Sequence, residues 1–112
     1  MHLASRYLDS LGMNKGHLEM LLLGVLQHGP LHGYSVIVGL RERSDGAFDF
    51  PEGTVYPALH KLERRGLVSS DWSHVNGRRR RTYELTPSGR DALRAQRRDW
   101  AAYQRGVTAV LA

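Results

Sequence analysis

Residues 51–67 read PEGTVYPALHKLERRGL, and the reading given to this stretch decides the fold. As a helix it sets Val55, Leu59 and Leu62 on one face at i, i+4 and i+7, the spacing of a stripe that packs against a core. Gly53, Pro57, His60, Lys61 and Arg64 fall on the opposite face. That free face is small in its N-terminal half and basic in its C-terminal half, a form suited to a negatively charged groove. Backbone amides and the positive end of the helix dipole would meet phosphate first, with the hydroxyls of Thr54 and Tyr56 flanking and Lys61, Arg64 and Arg65 behind. An ordinary amphipathic surface helix has the same pattern, and the stretch alone leaves both readings open.

Two local features bear on this helix. Pro57 lies inside it, where loss of a backbone bond and crowding of the preceding turn cost roughly 3 kcal/mol in an ordinary helix. Gly53, four residues earlier, is read as easing that crowding. Pro51 has no side-chain acceptor, so the cap is assigned either to Asp49 one turn earlier or to a different position with Pro51 at N1. Asp49 and Glu52 are read as capping and dipole residues, not as a catalytic pair.

Working outward, Gly66 is expected to end the helix as its C′ residue. Residues 67–74 and 79–85 read as two strands, and Asn76-Gly77 between them is a type I′ hairpin signal, because both central residues take positive φ. Arg78-Arg79-Arg80-Arg81 begins at the hairpin tip. Alternation puts Arg79, Arg81, Tyr83 and Leu85 on one side and Arg80, Thr82 and Glu84 on the other. Arg78, Arg79 and Arg80 are expected at phosphate or a minor groove, and at least one of the four arginines is expected to brace the wing against Asp71 or Glu63. A solvated charged face is the alternative.

Upstream, Leu18, Leu21, Leu22, Val25 and Leu26 repeat at i, i+3, i+4, i+7 and i+8, predicting a core helix that stops at His28-Gly29-Pro30. A second helix is expected from about residues 31–33 to Arg43, with Tyr34, Ile37 and Leu40 inward. Three helices followed by a hairpin make a winged helix-turn-helix, an α+β fold that is mainly α, over residues 15–85. Residues 1–14 carry a weak helical pattern at Leu3, Tyr7, Leu8 and Leu11, read as an extra helix or an arm.

Downstream, Thr86 as N-cap with Pro87 at N1 opens a last helix over residues 86–112. Leu93, Trp100 and Val107 recur at sevenfold spacing, with Gln96, Tyr103 and Val110 three residues after each. That is an a/d seam, and it predicts packing on a second subunit. The polar Gln96 and the helix-weakening Gly106 favour a short crossing of helices over a long coiled coil.

Composition agrees with a nucleic-acid partner. The 112 residues predict one domain with a formal net charge of +5, and Lys15 and Lys61 are the only lysines, so nearly all the base is arginine. Arginine makes planar, bidentate contacts with phosphate and guanine. No cysteine is present, which removes disulfides, thiol nucleophiles and cysteine-based metal sites and fits a reducing, cytoplasmic setting. The apolar run at residues 18–26 is interrupted and too short to span a bilayer, and no secretory signal is read at the start. His28 and His32 are separated by Gly29-Pro30 and do not form a chelating helical pair. No phosphate loop, nucleophile–base spacing or carboxylate cluster is found. The expectation is no enzyme, no metal and no cofactor.

Four motifs carry a family resemblance: Gly53-Thr54-Val55-Tyr56-Pro57-Ala58-Leu59, Leu62-Glu63-Arg64-Arg65-Gly66-Leu67, Leu31-His32-Gly33-Tyr34-Ser35-Val36 and Leu85-Thr86-Pro87-Ser88-Gly89-Arg90. In this order, and over residues 15–100, the chain resembles PadR-family transcriptional regulators. Its short C-terminal region is similar to the compact subgroup with a single terminal helix. The resemblance implies a homodimeric repressor on a (pseudo)palindromic double-stranded operator, released by a small-molecule effector. Trp100 and Tyr103 are open to two readings: dimer packing alone, or a flat slot at the seam for a planar aromatic effector of the kind the resemblance implies. Two other readings stay open: a winged-helix module that binds protein, and a ligand-binding dimer without operator function.

Overall fold

The computed structural model describes residues 15–112. The expectation for residues 1–14 lies outside them. The order is α1 (Lys15–Leu26), β1 (Leu31–His32), α2 (Gly33–Arg43), α3 (Glu52–Arg64), β2 (Val68–Val75), β3 (Arg78–Leu85) and α4 (Pro87–Leu111). The strands form one antiparallel sheet in the order β1-β3-β2.

The apolar stripes named above meet in one core. Leu18, Leu22 and Leu26 of α1, Val36, Ile37 and Leu40 of α2, and Val55, Leu59 and Leu62 of α3 are buried together with Phe50, Val68, Tyr83 and Leu85. One expectation is corrected in α2, which runs from Gly33 to Arg43 as expected. Tyr34 was expected inward but is 54% exposed, because the buried side of α2 is Gly33, Val36, Ile37 and Leu40. The ring of Tyr56 fills the space above Gly33, where any Cβ would collide with it. Just before α2 the chain adds a short strand, β1, not anticipated from the sequence, which pairs Leu31 with Tyr83 and His32 with Thr82. Two residues are too few to show a strand's alternation.

Local chemistry sets the boundaries that matter for the site. The α3 C-terminus closes as a Schellman motif, with the Gly66 amide donating to Glu63 O at 3.0 Å and the Leu67 amide to Leu62 O at 3.0 Å. Gly66 takes φ +76° to do so, a conformation that favours glycine. At the hairpin tip Asn76 and Gly77 have φ of 50° and 75°, the two positive values a type I′ turn needs. Thr86 caps α4 by accepting from the Gly89 amide at 3.0 Å, and its own hydroxyl donates to Gly66 O at 2.7 Å. The start of α4 is therefore fastened to the end of α3.

Candidate nucleic-acid interface

The helix from Glu52 to Arg64 begins without a side-chain cap. Pro51 itself is the N-cap, in an extended conformation, and its carbonyl accepts from the amides of Thr54 and Val55 at 3.0 and 3.1 Å. The arrangement with Pro51 at N1 does not hold, since Pro51 is the N-cap, and Asp49 lies 3.8 Å from Arg41 in an ion pair. Gly53 is not required for clearance either: a Cβ there would meet nothing within 4 Å. Its smallness leaves open space on the outer face.

That outer face consists of Gly53, Pro57, His60, Lys61 and Arg64, all exposed as expected. Thr54 is corrected: it is 3% exposed, buried beside Val55 on the core side, and cannot present its hydroxyl to a groove. Tyr56 is half-buried between the two faces. Burial first, then the charges of Glu52 and Tyr34, push its phenol pKa above the ordinary value, so the hydroxyl keeps its proton. Lys61 sits at the edge of the face, 3.9 Å from Glu19 Oε1 of α1, and Arg65 donates to Glu19 Oε2 at 2.7 Å. His60 lies at the centre of the face, with its ring centroid 6.5 Å from that of Tyr83.

The wing stands beside this face. Arg78 and Arg79 are exposed at the tip, while Arg80 and Arg81 are half-buried. Arg81 is the brace: its Nη2 lies 3.5 Å from Glu63 Oε1 of α3 and its Nε donates to Ser70 Oγ at 2.8 Å. The Ser70 hydroxyl in turn donates to Glu63 Oε2. Asp71, the other acidic residue considered, instead accepts from the Trp72 amide at 2.9 Å. Arg80 lies on the opposite sheet face from Arg79 and Arg81, and its Nε is buried without a hydrogen-bond partner among the described residues. Tyr83, on the inner face, has its phenol pKa raised mainly by burial, with Arg81 opposing and Glu63 and Tyr56 adding to the rise.

Two exposed aromatics here were not among the site residues expected from the sequence. Tyr34 stands at the first turn of α2, near enough to Tyr56 to affect its ionisation. Trp72, 49% exposed on β2, lies under the guanidinium groups of Arg79 and Arg81 at 4.3 and 5.4 Å from the ring centroid. Its place depends on cross-strand register, which composition does not carry.

The α4 stripe divides in two. Leu93 is corrected from seam to core: it is 6% exposed and packs in the chain's own hydrophobic cluster. The first turns of α4 lie on α1, which uses up that side of the helix. Gln96 is half-buried, with Oε1 lacking a hydrogen-bond partner among the described residues. From Trp100 onward the stripe is open: Trp100, Tyr103, Val107 and Val110 are all exposed. Trp100 stacks on Tyr103 with centroids 5.8 Å apart and meets the edge of His17 on α1 at 5.7 Å. Among the described residues no three His, Asp or Glu side chains converge as metal ligands, and no helix is long and apolar enough to cross a membrane.

A helix with a small-to-basic outer face, joined by its own glutamate to an arginine-tipped hairpin, makes this fold a winged helix-turn-helix. The model of the transcriptional regulator PadR-like family matches residues 22–95. The chain belongs to this family. It is 47% identical over 58 residues to transcriptional regulator Rv3488 of Mycobacterium tuberculosis, a match covering 52% of this chain and 54% of that protein. The match thus spans about half the length of that relative. A crystal structure of a PadR family transcription regulator from Clostridium difficile R20291 superposes with a TM-score of 0.77 at 30% identity, covering 86% of this chain and 99% of the other. Bacillus subtilis PadR, crystallised in complex with operator DNA, superposes with a TM-score of 0.65 at 27% identity, over 76% of this chain and 46% of that one.

Proposed function

We propose that this chain is a sequence-specific DNA-binding repressor that acts as a homodimer in the cytoplasm and leaves its operator when a small planar aromatic effector binds. The observation that carries the DNA-binding reading is the outer face of α3, where Gly53, Pro57, His60 and Arg64 lie open beside the arginines of the wing. Residues 15–85 serve as the DNA-binding unit and 86–112 as the dimerisation helix. Gly53, Pro57, His60, Arg64, Tyr56 and Lys61 make base-edge and positioning contacts, while Arg78, Arg79 and Arg80 contact phosphate. The Bacillus subtilis protein, described with operator DNA on the same fold, supports this reading.

Dimerisation rests on the exposed stripe from Trp100 to Val110. On a two-fold axis that stripe would meet its own copy, and a two-fold protein reads a (pseudo)palindromic site. The Trp100–Tyr103 stack supports the effector reading by offering a flat aromatic surface. The deciding experiment recovers genomic fragments bound by the purified chain and sequences them. Enrichment of one inverted repeat supports the proposal; recovery of fragments without a common sequence overturns sequence specificity. A second measurement follows affinity against salt, where log K should fall by about 0.9 for each phosphate neutralised.

A further inference from the structure

The hairpin register places Trp72 opposite Arg81 and His74 opposite Arg79, so Arg79 is the diagonal neighbour of Trp72 and reaches its ring. The same sheet face carries Tyr83 into the core. An indole left half in water contributes little to that core, yet it lies under two guanidinium groups at once. Two like charges over one ring repel unless anions offset them. Glu63 supplies one, 3.5 Å from Arg81. Arg79 has no acidic side chain within ion-pair distance among the described residues, and it is both exposed and held. On the outer side of this stack Arg79 is exposed, and a phosphate of bound DNA would supply the second anion there.

We propose that Trp72 is the positioning residue of the wing, holding Arg79 ready for a DNA phosphate, while Arg81 ties the same indole to Glu63 of α3. This rests on the DNA-binding reading above. A free arginine at a hairpin tip must be ordered when DNA binds, which weakens binding. Stacking orders it beforehand. The chain of contacts Glu63–Arg81–Trp72–Arg79 also fixes the distance between the wing contact and the groove-facing side of α3. The guanidinium plane is part of the device, so lysine does not replace arginine at position 79.

The test measures affinity of the full chain for a labelled mixed-sequence duplex. Trp72→Leu keeps an apolar side chain but removes the ring, and is expected to weaken binding by about two- to fivefold, the span of an exposed cation–π contact. Trp72→Phe should restore most of that loss. In an Arg79→Ala background Trp72→Leu should cost nothing further. An equal loss in both backgrounds, or a loss below about twofold in the otherwise wild-type chain, overturns the proposal. Should Trp72→Leu fail to fold, the emission of Trp72 in a Trp100→Phe chain provides the second readout. It is expected to shift both on Arg79→Ala and on addition of duplex, and unchanged emission in either case overturns the stack. A wild-type chain that binds no duplex at low salt overturns the DNA-binding reading with it, whereas steep salt-dependent wild-type binding with Trp72→Leu neutral overturns this proposal alone.

Discussion

At the scale of the residue, Gly53 separates stability from function. A side chain at this position meets nothing within 4 Å, so Gly53→Ala carries no steric cost within the chain. Alanine also loses less backbone entropy than glycine in a helix, and the substitution is expected to stabilise the fold by about 0.5–1 kcal/mol. The added methyl stands on the outer face beside Pro57, where close approach of backbone to DNA matters most. Thermal unfolding should therefore show a raised midpoint while duplex binding weakens. Raised or unchanged affinity in the variant would show that this turn of α3 does not approach DNA closely. Thr54, one residue on, shows the limit of helical periodicity: it lies beside the boundary between faces, and only the packing of α3 decides that it is buried.

At the scale of the element, the junction between α3 and α4 depends on one hydroxyl. Thr86 Oγ1 donates to Gly66 O, accepts from the Gly89 amide, and stands beside a backbone bond from the Thr86 amide to Leu67 O at 3.1 Å. Thr86→Val retains shape but leaves a helix cap and a carbonyl without their partner, a loss of about 2 kcal/mol. Thr86→Ser keeps both bonds and should recover most of it in denaturant unfolding; a serine variant as weak as the valine one would assign the effect to the methyl group. Its two halves were legible in the sequence, because Thr-Pro at a helix start and Gly at a helix end each have one strong local meaning, whereas the bond that joins them was not. The Asn76-Gly77 turn was legible for the same reason. Tyr34, Leu93 and β1 were not, because each depends on which neighbour packs against it. The α4 heptad spacing runs from Leu93 to Val110, with polar Gln96 as its one interruption, yet its first turns serve the chain's own core and the remainder is open. Likewise, the arginine run announced a basic wing, but only the register reveals that Arg81 braces and Arg79 stacks.

At the scale of the whole molecule, the division of α4 predicts two different kinds of loss. Leu93→Ala removes a buried side chain and should lower stability by about 2–5 kcal/mol. Val110→Asp puts charge on an open stripe and should leave the fold intact while sedimentation shows monomers in place of dimers. A Val110→Asp chain that remains dimeric would move the interface away from this helix. Trp100 is 42% exposed, flanked by Tyr103 and His17, so it belongs at once to the open stripe and to the contact between α4 and α1. A planar aromatic compound stacked there would alter how α4 sits on the body of the chain, and through Thr86 the position of α3. It can release DNA only if it binds the DNA-free form more tightly than the bound one. In a Trp72→Phe chain, where Trp100 is the sole indole, such compounds are expected to quench emission and, at the same concentrations, to lower affinity for the operator. Reciprocally, operator DNA should weaken the compound's binding by the same factor. Quenching without any change in operator affinity would make this surface a ligand site uncoupled from DNA, and an absence of quenching with the dimer intact would assign Trp100 and Tyr103 to packing alone.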